Sequence, residues 1–277
     1  MTTRPIDTHV HLDEIEGVDL DRTPYRAALI PGIKAAKTSL TLSRWQHHES
    51  LHFAAGAHPW YLPTASPPQT SSTLAASGPA IVRHGTGTDA AHLLDLWDND
   101  RVCAVGEIGL DHLRHESMEE RAHAAAWCAW QLDEAAVRGL PLVLHVVRAH
   151  EDMLAMLRQR GTLSGFVHAF GGSLEQARQY HELGFAVGLG PAVTRDRATR
   201  VRRVAANIPS SGYVLETDAP FMAVSPAERG CGNPEGILSV ASTVAALRGV
   251  SVGQVVDEST QNAIDRVPSL LSGHRQA

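Results

Sequence analysis

Short apolar segments with the composition of β-strands alternate with longer, helix-like segments along most of this 277-residue chain. Such alternation is typical of parallel βα units, in which each helix covers the sheet between two successive strands. The eight predicted strands span residues 6–10, 27–33, 52–57, 102–107, 142–146, 165–169, 185–188 and 213–216. Eight parallel strands favour an α/β fold of the TIM (β/α) barrel type, which takes about 250 residues as one unit. We therefore expect residues 1–277 to form a single domain.

Helical patterns fill most of the intervals between these strands. The predicted helices span residues 121–139, 150–161, 173–184 and 194–208, and two closing helices span about 235–248 and 251–266. Residues 17–26 leave little room for a helix after the first strand. Residues 62–88, rich in Pro, Ser, Thr and Gly, predict a long loop after the third strand, and residues 223–236 predict a second loop after the last.

The charge and the apolar pattern exclude several classes of protein. With 24 basic and 30 acidic residues, the chain carries a net charge of −6, whereas nonspecific coating of nucleic acid needs many Lys and Arg contacts to phosphate. A small phosphate-binding pocket stays possible, because it needs only a few local donors. No apolar run approaches the ~20 residues that would span a bilayer, and "MTTRPIDTH" is not a hydrophobic signal. We expect a cytoplasmic protein with no membrane association.

The three cysteines do not indicate a cysteine-based site. Cys103, Cys128 and Cys231 form an odd set without a C-x-x-C spacing, which fits neither a disulfide framework nor a thiolate zinc site. We interpret them as packed or incidental thiols.

Potential metal ligands stand at or just after the ends of the predicted strands. In a (β/α) barrel the catalytic groups gather at the C-terminal ends of the strands. The side chains at these ends are His9, His11, His58, Glu107, His145, His168 and Asp218. A single histidine at a strand end is more often a packed, hydrogen-bonded residue than a ligand. Seven such groups at one mouth are hard to explain as packing, because burying unpaired polar groups is costly.

These residues predict a centre for two divalent ions. His9 and His11 are two residues apart, so their side chains point to the same side of a strand. Together with Glu107 and Asp218 they would bind one ion, and His145 and His168 would bind the other with Glu107 as a shared ligand. Imidazole and carboxylate groups suit ions such as Zn, Mn or Mg. Two ions about 3.5–4 Å apart can activate a water and stabilise a phosphodiester displacement.

Several further residues have predicted roles around this centre. Among the strand-end residues, Asp218, Glu107 and His58 are the predicted catalytic groups, with Asp218 accepting the proton of the water. Asp111 and Glu216 are expected to orient the metal ligands, although a purely structural hydrogen bond is the open alternative for each. Arg114 and Arg148 follow strand-end motifs and could bind a phosphate, although exposed arginines are usually solvated.

The motifs that carry these residues resemble a known family. The segments "DTHVHLDE", "GAHPW", "GEIGLDHLR", "LPLVLHVVRAHEDML", "FVHAFGGS" and "LETDAPFM" occur in the order and spacing of the TatD family of metal-dependent deoxyribonucleases. The resemblance runs from about residue 5 to residue 267. It implies a barrel of the metallo-dependent hydrolase (amidohydrolase) type, two divalent metals and hydrolysis of phosphodiesters, often at DNA 3′ ends. The residues at the matching ligand positions are His9, His11, Glu107, His145, His168 and Asp218, and His58 matches a histidine near the scissile phosphate.

The chain departs from the family pattern at positions that contact the substrate. After "GLD" the family usually has an aromatic residue, where this chain has His112. After His145 many members have Ser-Arg, where this chain has Val146 and Val147. The late loop commonly carries Arg-Asn, and here Asn233 is kept as a predicted substrate contact while Gly232 replaces the arginine. The sequence therefore supports the type of reaction, hydrolysis, better than it supports DNA as the substrate.

Three functional hypotheses follow from these observations. The leading one is a TatD-type, two-metal phosphodiesterase that acts on DNA or nucleotide ends through a metal-activated water. The alternative is a metal-dependent amidohydrolase acting on a small amide, lactone or ester. The third is a metal-binding scaffold without catalysis, which the complete ligand set disfavours. We expect a monomer or a weak oligomer.

Overall fold

Eight parallel strands form one sheet in chain order. The computed structural model describes residues 4–20, 23–68, 88–224 and 232–271. The strands are β1 (Ile6–Asp7), β2 (Ala27–Ile30), β3 (Leu51–Ala55), β4 (Val102–Asp111), β5 (Leu142–Val147), β6 (Gly165–Val167), β7 (Phe185–Leu189) and β8 (Tyr213–Leu215). The sheet curls until its edges meet, where the backbone N–H and the hydroxyl of Thr8 both donate to the carbonyl of Leu215, at 3.2 and 3.0 Å. The predicted TIM barrel is confirmed.

Each strand ends one to four residues away from its predicted end, and the largest differences are at β1, β2 and β4. The ladder of β1 with β2 contains only Ile6 and Asp7. Beyond it the main chain bonds to both neighbours, since the backbone N–H of Val10 donates to the carbonyl of Leu29 in β2 and that of His11 donates to the carbonyl of Ala219 after β8. His9 and His11 consequently lie beyond the strand rather than within it. β4 continues four residues past the predicted end, because its ladder with β5 extends to the pair Asp111 and Val147.

Helices cover the outside of the barrel. They are α1 (Ala35–Trp45), α2 (Thr88–Trp97), α3 (Met118–Arg138), α4 (His150–Arg158), α5 (Leu174–Glu182), α6 (Thr199–Asn207), α7 (Gly236–Arg248) and α8 (Val252–Arg266). The sequence prediction lacked α1 and α2. It also began the helix before β8 too early, because residues Pro191–Thr194 form a 3-10 turn and α6 starts only at Thr199. As predicted, the described residues between β1 and β2 contain no α-helix, and residues Leu12–Glu14 form a 3-10 turn.

Two helices begin at capping boxes that the sequence encodes locally. The Ser117 hydroxyl accepts from the backbone N–H of Glu120, and the Glu120 carboxylate accepts from that of Ser117. Ser173 and Gln176 repeat the arrangement at the start of α5. A side chain at each position satisfies a backbone donor that the first helical turn leaves free. These caps fix where α3 and α5 leave the barrel mouth.

The predicted loops lie partly outside the described residues. Of the loop predicted at 62–88, residues 69–87 are not described, and of the loop at 223–236, residues 225–231 are not described and Gly236 already belongs to α7. Cys103 and Cys128 are buried free thiols, and Cys231 lies outside the described residues.

Within the described part of the chain, no single helix has the length and apolarity needed to cross a membrane. The pair α7 and α8 passes that test only jointly and is bent by 107°.

The inside of the barrel is apolar. Inward side chains of most strands pack into one cluster with residues of α8 and the turn that follows it. Its members include Ile6, Leu29, Ala54, Val143, Phe166, Val214, Val267 and Leu270. A second, larger cluster fills the layer between the sheet and the helices. Because apolar side chains fill the barrel, most of the buried histidines and carboxylates collect at and beyond the C-terminal strand ends.

Candidate metal centre

A buried carboxylate ties the first strand to the segment after the last. Asp7 accepts hydrogen bonds from the hydroxyl of Thr217 at 2.7 Å and from its backbone N–H at 3.1 Å. It also accepts from the backbone N–H of His9 at 3.2 Å. Next to it, the backbone N–H of Asp218 donates to the carbonyl of His9 at 2.8 Å. The closure of the barrel therefore sets the distance between His9 and Asp218.

Three residues that follow ligand-bearing strands have left-handed backbone conformations. The φ angles are 54° at Arg148, 43° at Ala169 and 50° at Asp218. A residue with a side chain adopts this region at a cost of about 1–3 kcal/mol, which only a surrounding structure that fixes it can sustain. At Ala169 the conformation lets the backbone N–H donate to Glu216 Oε1 at 2.7 Å. Such strain is concentrated at functional sites in proteins.

Glu107 lies at the middle of the centre, with its two carboxylate oxygens facing different histidines. Oε2 is 3.4 Å from His9 Nε2 and 4.0 Å from His11 Nε2. Oε1 is 2.9 Å from His145 Nδ1 and 3.3 Å from His58 Nε2. The residue is only 3% exposed. One carboxylate is thus shared between two groups of imidazoles.

Asp218 divides its oxygens in the same way. Oδ1 lies 3.8 Å from His9 Nε2 and 3.6 Å from His11 Nε2. Oδ2 lies 3.8 Å from His168 Nε2. The two buried carboxylates therefore both connect the histidine pair after β1 with histidines that follow other strands.

The structure brings the six predicted ligands and His58 together, in groupings that partly differ from the predicted ones. Three sets have ligand atoms within 4.8 Å of one another: His9, His11 and Asp218; His58, Glu107 and His145; and His9, His168 and Glu216. The first set agrees with the predicted first site. His58 joins the second in place of His168, whose ring stacks on His9 with centroids 3.5 Å apart. The assignment of individual ligands stays a prediction.

The protonation of the groups around Glu107 suits cation binding. Burial lowers the pKa of His9 far below its usual value and that of His11 to about 4. Both rings are therefore neutral, as metal ligands must be. Burial alone would raise the pKa of Glu107, but the surrounding imidazoles of His58, His9 and His168 and the hydrogen bond with His145 outweigh it and hold that pKa well below the usual range. Glu107 is an ionised carboxylate.

His168 and Asp218 are shifted in the opposite direction. Burial would lower the pKa of His168, but the carboxylates of Glu216 and Asp218 raise it to about 10. Burial raises the pKa of Asp218 to about 7, although the charge of His168 opposes the shift. In the metal-free protein the proton on His168 balances the surrounding negative charge. An ion at this position would take over that role and release the proton.

Two further carboxylates face His145 in β5 and His168 after β6. Asp111 Oδ2 lies 3.2 Å from His145 Nε2, and Glu216 Oε1 lies 3.2 Å from His168 Nδ1. Each carboxylate thus faces the ring nitrogen that points away from the centre. Such contacts orient the imidazole and raise its basicity in metal sites. The other oxygen of Glu216 is buried without a hydrogen-bond partner among the described residues, and a Cβ on Gly188 would lie 2.1 Å from it.

The donor set fits divalent metal ions. Imidazole nitrogens and carboxylate oxygens converge in a buried space. Two of the carboxylates, Glu107 and Asp218, each contact two groups of histidines. Burying so many polar groups without a cation to bind them would be costly. Imidazole and carboxylate are the ligands of Zn and Mn, and carboxylate also suits Mg.

The predicted phosphate contacts lie apart from one another at the mouth. Arg114 is exposed, with its guanidinium 5.9 Å from the ring centre of Trp60, beside a groove of about 710 Å³. Arg148 is also exposed and lines a separate cavity of about 420 Å³ together with Arg200. Asn233 lies just before α7, where its side-chain oxygen accepts from the backbone N–H of Gly236, the first residue of the helix, at 3.1 Å. Substrate contact by these residues stays a prediction.

Sequence reasoning assigned no role to several residues that shape the centre. Asp7 and Thr217 join the two edges of the barrel, and the position of Asp7 two residues before His9 was a usable signal. Trp60 was part of a quoted motif, but its ring contacts His58 and His145, with centroids 5.2 and 5.8 Å apart. Phe221 is 57% exposed and packs edge-on against His11 at 4.9 Å. No local pattern indicates either aromatic contact.

Comparison with known proteins agrees with this geometry. A family model described as TatD related DNase matches residues 6–266. The chain belongs to the TatD family. The uncharacterized metal-dependent hydrolase YjjV of Escherichia coli K12 is 31% identical over 287 residues, covering 98% of this chain and 99% of YjjV.

Two solved structures have the same fold. The crystal structure of YjjV superposes with a TM-score of 0.81, at 26% identity in the structural alignment, covering 97% of this chain and 99% of that one. A TatD-family hydrolase from Entamoeba histolytica has a TM-score of 0.74 at 18% identity, covering 96% and 99% of the two chains. This TatD protein is therefore a metal-dependent hydrolase with a TIM-barrel fold.

Proposed function

We propose that this TatD hydrolase is a two-metal phosphodiesterase that cleaves DNA or nucleotides at strand ends. The observation that supports it best is the position of Glu107. One of its oxygens faces His9 and His11, and the other faces His145 and His58. A carboxylate divided in this way suits two neighbouring cations better than one.

The proposed ligands follow from that division. One ion would be held by His9, His11 and Asp218, and the other by His145 and His168, with Glu107 shared. Zn, Mn and Mg are the candidate ions. Two such ions lower the pKa of a water and offset the negative charge of a phosphodiester under attack. The remaining chemistry belongs to side chains of the protein.

Asp218 is the proposed proton acceptor. It is buried between the two histidine groups, so a water attacking a phosphate there would be within its reach.

His58 is the proposed phosphate contact. Burial lowers the pKa of His58, so its ring is neutral at pH 7. Its Nδ1 accepts a hydrogen bond from the backbone N–H of Trp60 at 3.1 Å. The single ring proton is consequently on Nε2, the nitrogen that faces the centre. From there it can donate to a phosphate oxygen and stabilise the charge that develops on it.

A substrate panel tests this proposal. Purified protein loaded with Mn²⁺, Zn²⁺ or Mg²⁺ should release nucleotides from single-stranded DNA with a free 3′ end. An oligonucleotide whose 3′ end is blocked is the matched control and should be cut more slowly. Turnover of small esters, lactones or amides in the absence of any phosphodiester cleavage would overturn the proposal.

A small amide, lactone or ester is the second candidate substrate. It is favoured by Gly232, which stands where family members commonly carry arginine. A Cβ on Gly232 would lie 1.8 Å from the carbonyl oxygen of Met222, so the backbone leaves no room for a phosphate-binding side chain there. The net charge of −6 also weakens long-range attraction of a polyanion. The same substrate panel separates the two candidates.

A further inference from the structure

Trp60 is an exposed residue on the rim of the centre that reaches a buried carboxylate. The residue is 48% exposed, yet its indole Nε1 donates to Asp111 Oδ2 at 2.7 Å. Asp111 itself is 2% exposed. A tryptophan N–H with a carboxylate acceptor is a charge-assisted hydrogen bond, stronger than one between neutral groups.

Both carboxylate oxygens of Asp111 accept hydrogen bonds. Oδ1 accepts from the backbone N–H groups of Leu113 and Arg114, both at 2.9 Å. Oδ2 is shared between Trp60 Nε1 and His145 Nε2, the latter at 3.2 Å. A carboxylate offers about four acceptor positions, so the four donors use them all. The loop after β4 holds one oxygen, and Trp60 is the only side chain besides His145 among the described residues that holds the other.

The orientation of His145 depends on this second oxygen. Because Nε2 faces Asp111, Nδ1 points inward to Glu107 Oε1 at 2.9 Å. If Asp111 turned away, the ring would lose the partner that selects which nitrogen faces the centre. The chain of contacts therefore runs from the rim through Asp111 and His145 to the shared Glu107.

We propose that Trp60 is a positioning residue whose indole N–H holds Asp111 and thereby orients His145 for metal binding. This inference deepens the proposed function. Its prediction for turnover rests on the proposed function, whereas its prediction for metal-ion affinity does not depend on the substrate. The other contacts of the indole are its ring contacts with His58 and His145 and the groove beside Arg114. A substrate group bound in that groove would contact Trp60, the residue that orients the metal ligand His145.

Two substitutions separate the N–H from the ring. Trp60→Phe removes the donor and keeps an aromatic ring, whereas Trp60→Leu removes both. If the N–H orients His145, both variants should bind Mn²⁺ about tenfold more weakly than the wild type in calorimetric titrations of the metal-free protein. Turnover should fall in kcat for both, and only Trp60→Leu should also raise KM if the substrate stacks on the ring. Tyr61→Phe removes a polar atom from the neighbouring exposed aromatic and is the control, with unchanged Mn²⁺ affinity.

A double-mutant cycle tests whether Trp60 acts through Asp111. Asp111→Asn should weaken Mn²⁺ binding at least as much as Trp60→Phe, and adding Trp60→Phe to it should cause no further loss, because the acceptor is already altered. Additive losses, or wild-type Mn²⁺ affinity in Trp60→Phe, would overturn the inference.

A wild-type protein that binds Mn²⁺ but cleaves no phosphodiester would overturn the proposed function instead, and the affinity cycle would still decide the role of Trp60. Because Trp60 is half exposed, thermal unfolding of Trp60→Phe should match that of the wild type.

Discussion

Asp218, the proposed catalytic base, has a strained backbone conformation. Its φ of 50° is held by the hydrogen bond from its backbone N–H to the carbonyl of His9. This main-chain contact directs the carboxylate into the space between His11 and His168. The residue thus takes its place from the backbone, independently of any ion.

Replacing Asp218 with asparagine should abolish turnover without disturbing the fold. Asparagine has nearly the same shape and is among the residues that tolerate a positive φ, but its amide cannot accept the proton of an attacking water. We expect kcat to fall by about 10²–10⁴-fold, the usual contribution of a general base, with more if ion binding also weakens. Steady-state kinetics, metal analysis and thermal unfolding of the variant check this. Full activity in Asp218→Asn would remove the residue from the mechanism.

The apolar runs in the sequence predicted where the strands occur but not where they end. The length of β1 depends on closure against the segment after β8, a contact across more than 200 residues that no local pattern encodes. Helix α1 was missed because it is rich in Thr and Ser, which have modest helix propensity. Its buried face, including Thr38, Leu42 and Trp45, is stabilised by tertiary packing instead.

The same reasoning explains how much of the centre was predictable. Parallel strands bring their C-terminal ends to one mouth, so the strand-end rule located all six predicted ligands and His58. The rule cannot say which ligand contacts which, and His58 was therefore not grouped with His145. Trp60 was not assigned because its role depends on a hydrogen bond to a residue 51 positions away.

Strand β3 carries a buried histidine outside the centre that should make stability depend on pH. Burial, and secondly the charge of Arg101, lower the pKa of His52 to about 4, against about 6.5 in an unfolded chain. Between these values the unfolded chain binds more protons than the folded protein, so stability is lost as the pH falls from 6.5 towards 4. From pH 7.5 to pH 5 this one residue should cost about 2 kcal/mol.

His52→Leu should remove that contribution. Urea unfolding of the metal-free wild type and the variant at pH 7.5 and 5 measures it, with chelator present so that loss of ions plays no part. The free energy of unfolding of the variant should fall by about 2 kcal/mol less than that of the wild type. Identical pH dependence in the two proteins would show that His52 is not buried as a neutral ring.

For the whole molecule, the barrel concentrates its polar groups at one end and leaves the interior apolar. Two of the buried carboxylates there, Glu107 and Asp218, each face two groups of histidines. Ion binding at this place should stabilise the fold, because a ligand that binds only the folded protein shifts the unfolding equilibrium. We therefore expect the closed barrel to be more stable with ions bound at the centre than without them.

Anomalous diffraction from crystals of the Mn²⁺-loaded protein, grown with phosphate, tests the two-ion centre most directly. We expect two anomalous peaks about 3.5–4 Å apart, each beside one oxygen of Glu107, with the phosphate within reach of His58. A single peak at full Mn²⁺ saturation, or two peaks with Glu107 touching neither, would contradict a centre built on a shared carboxylate.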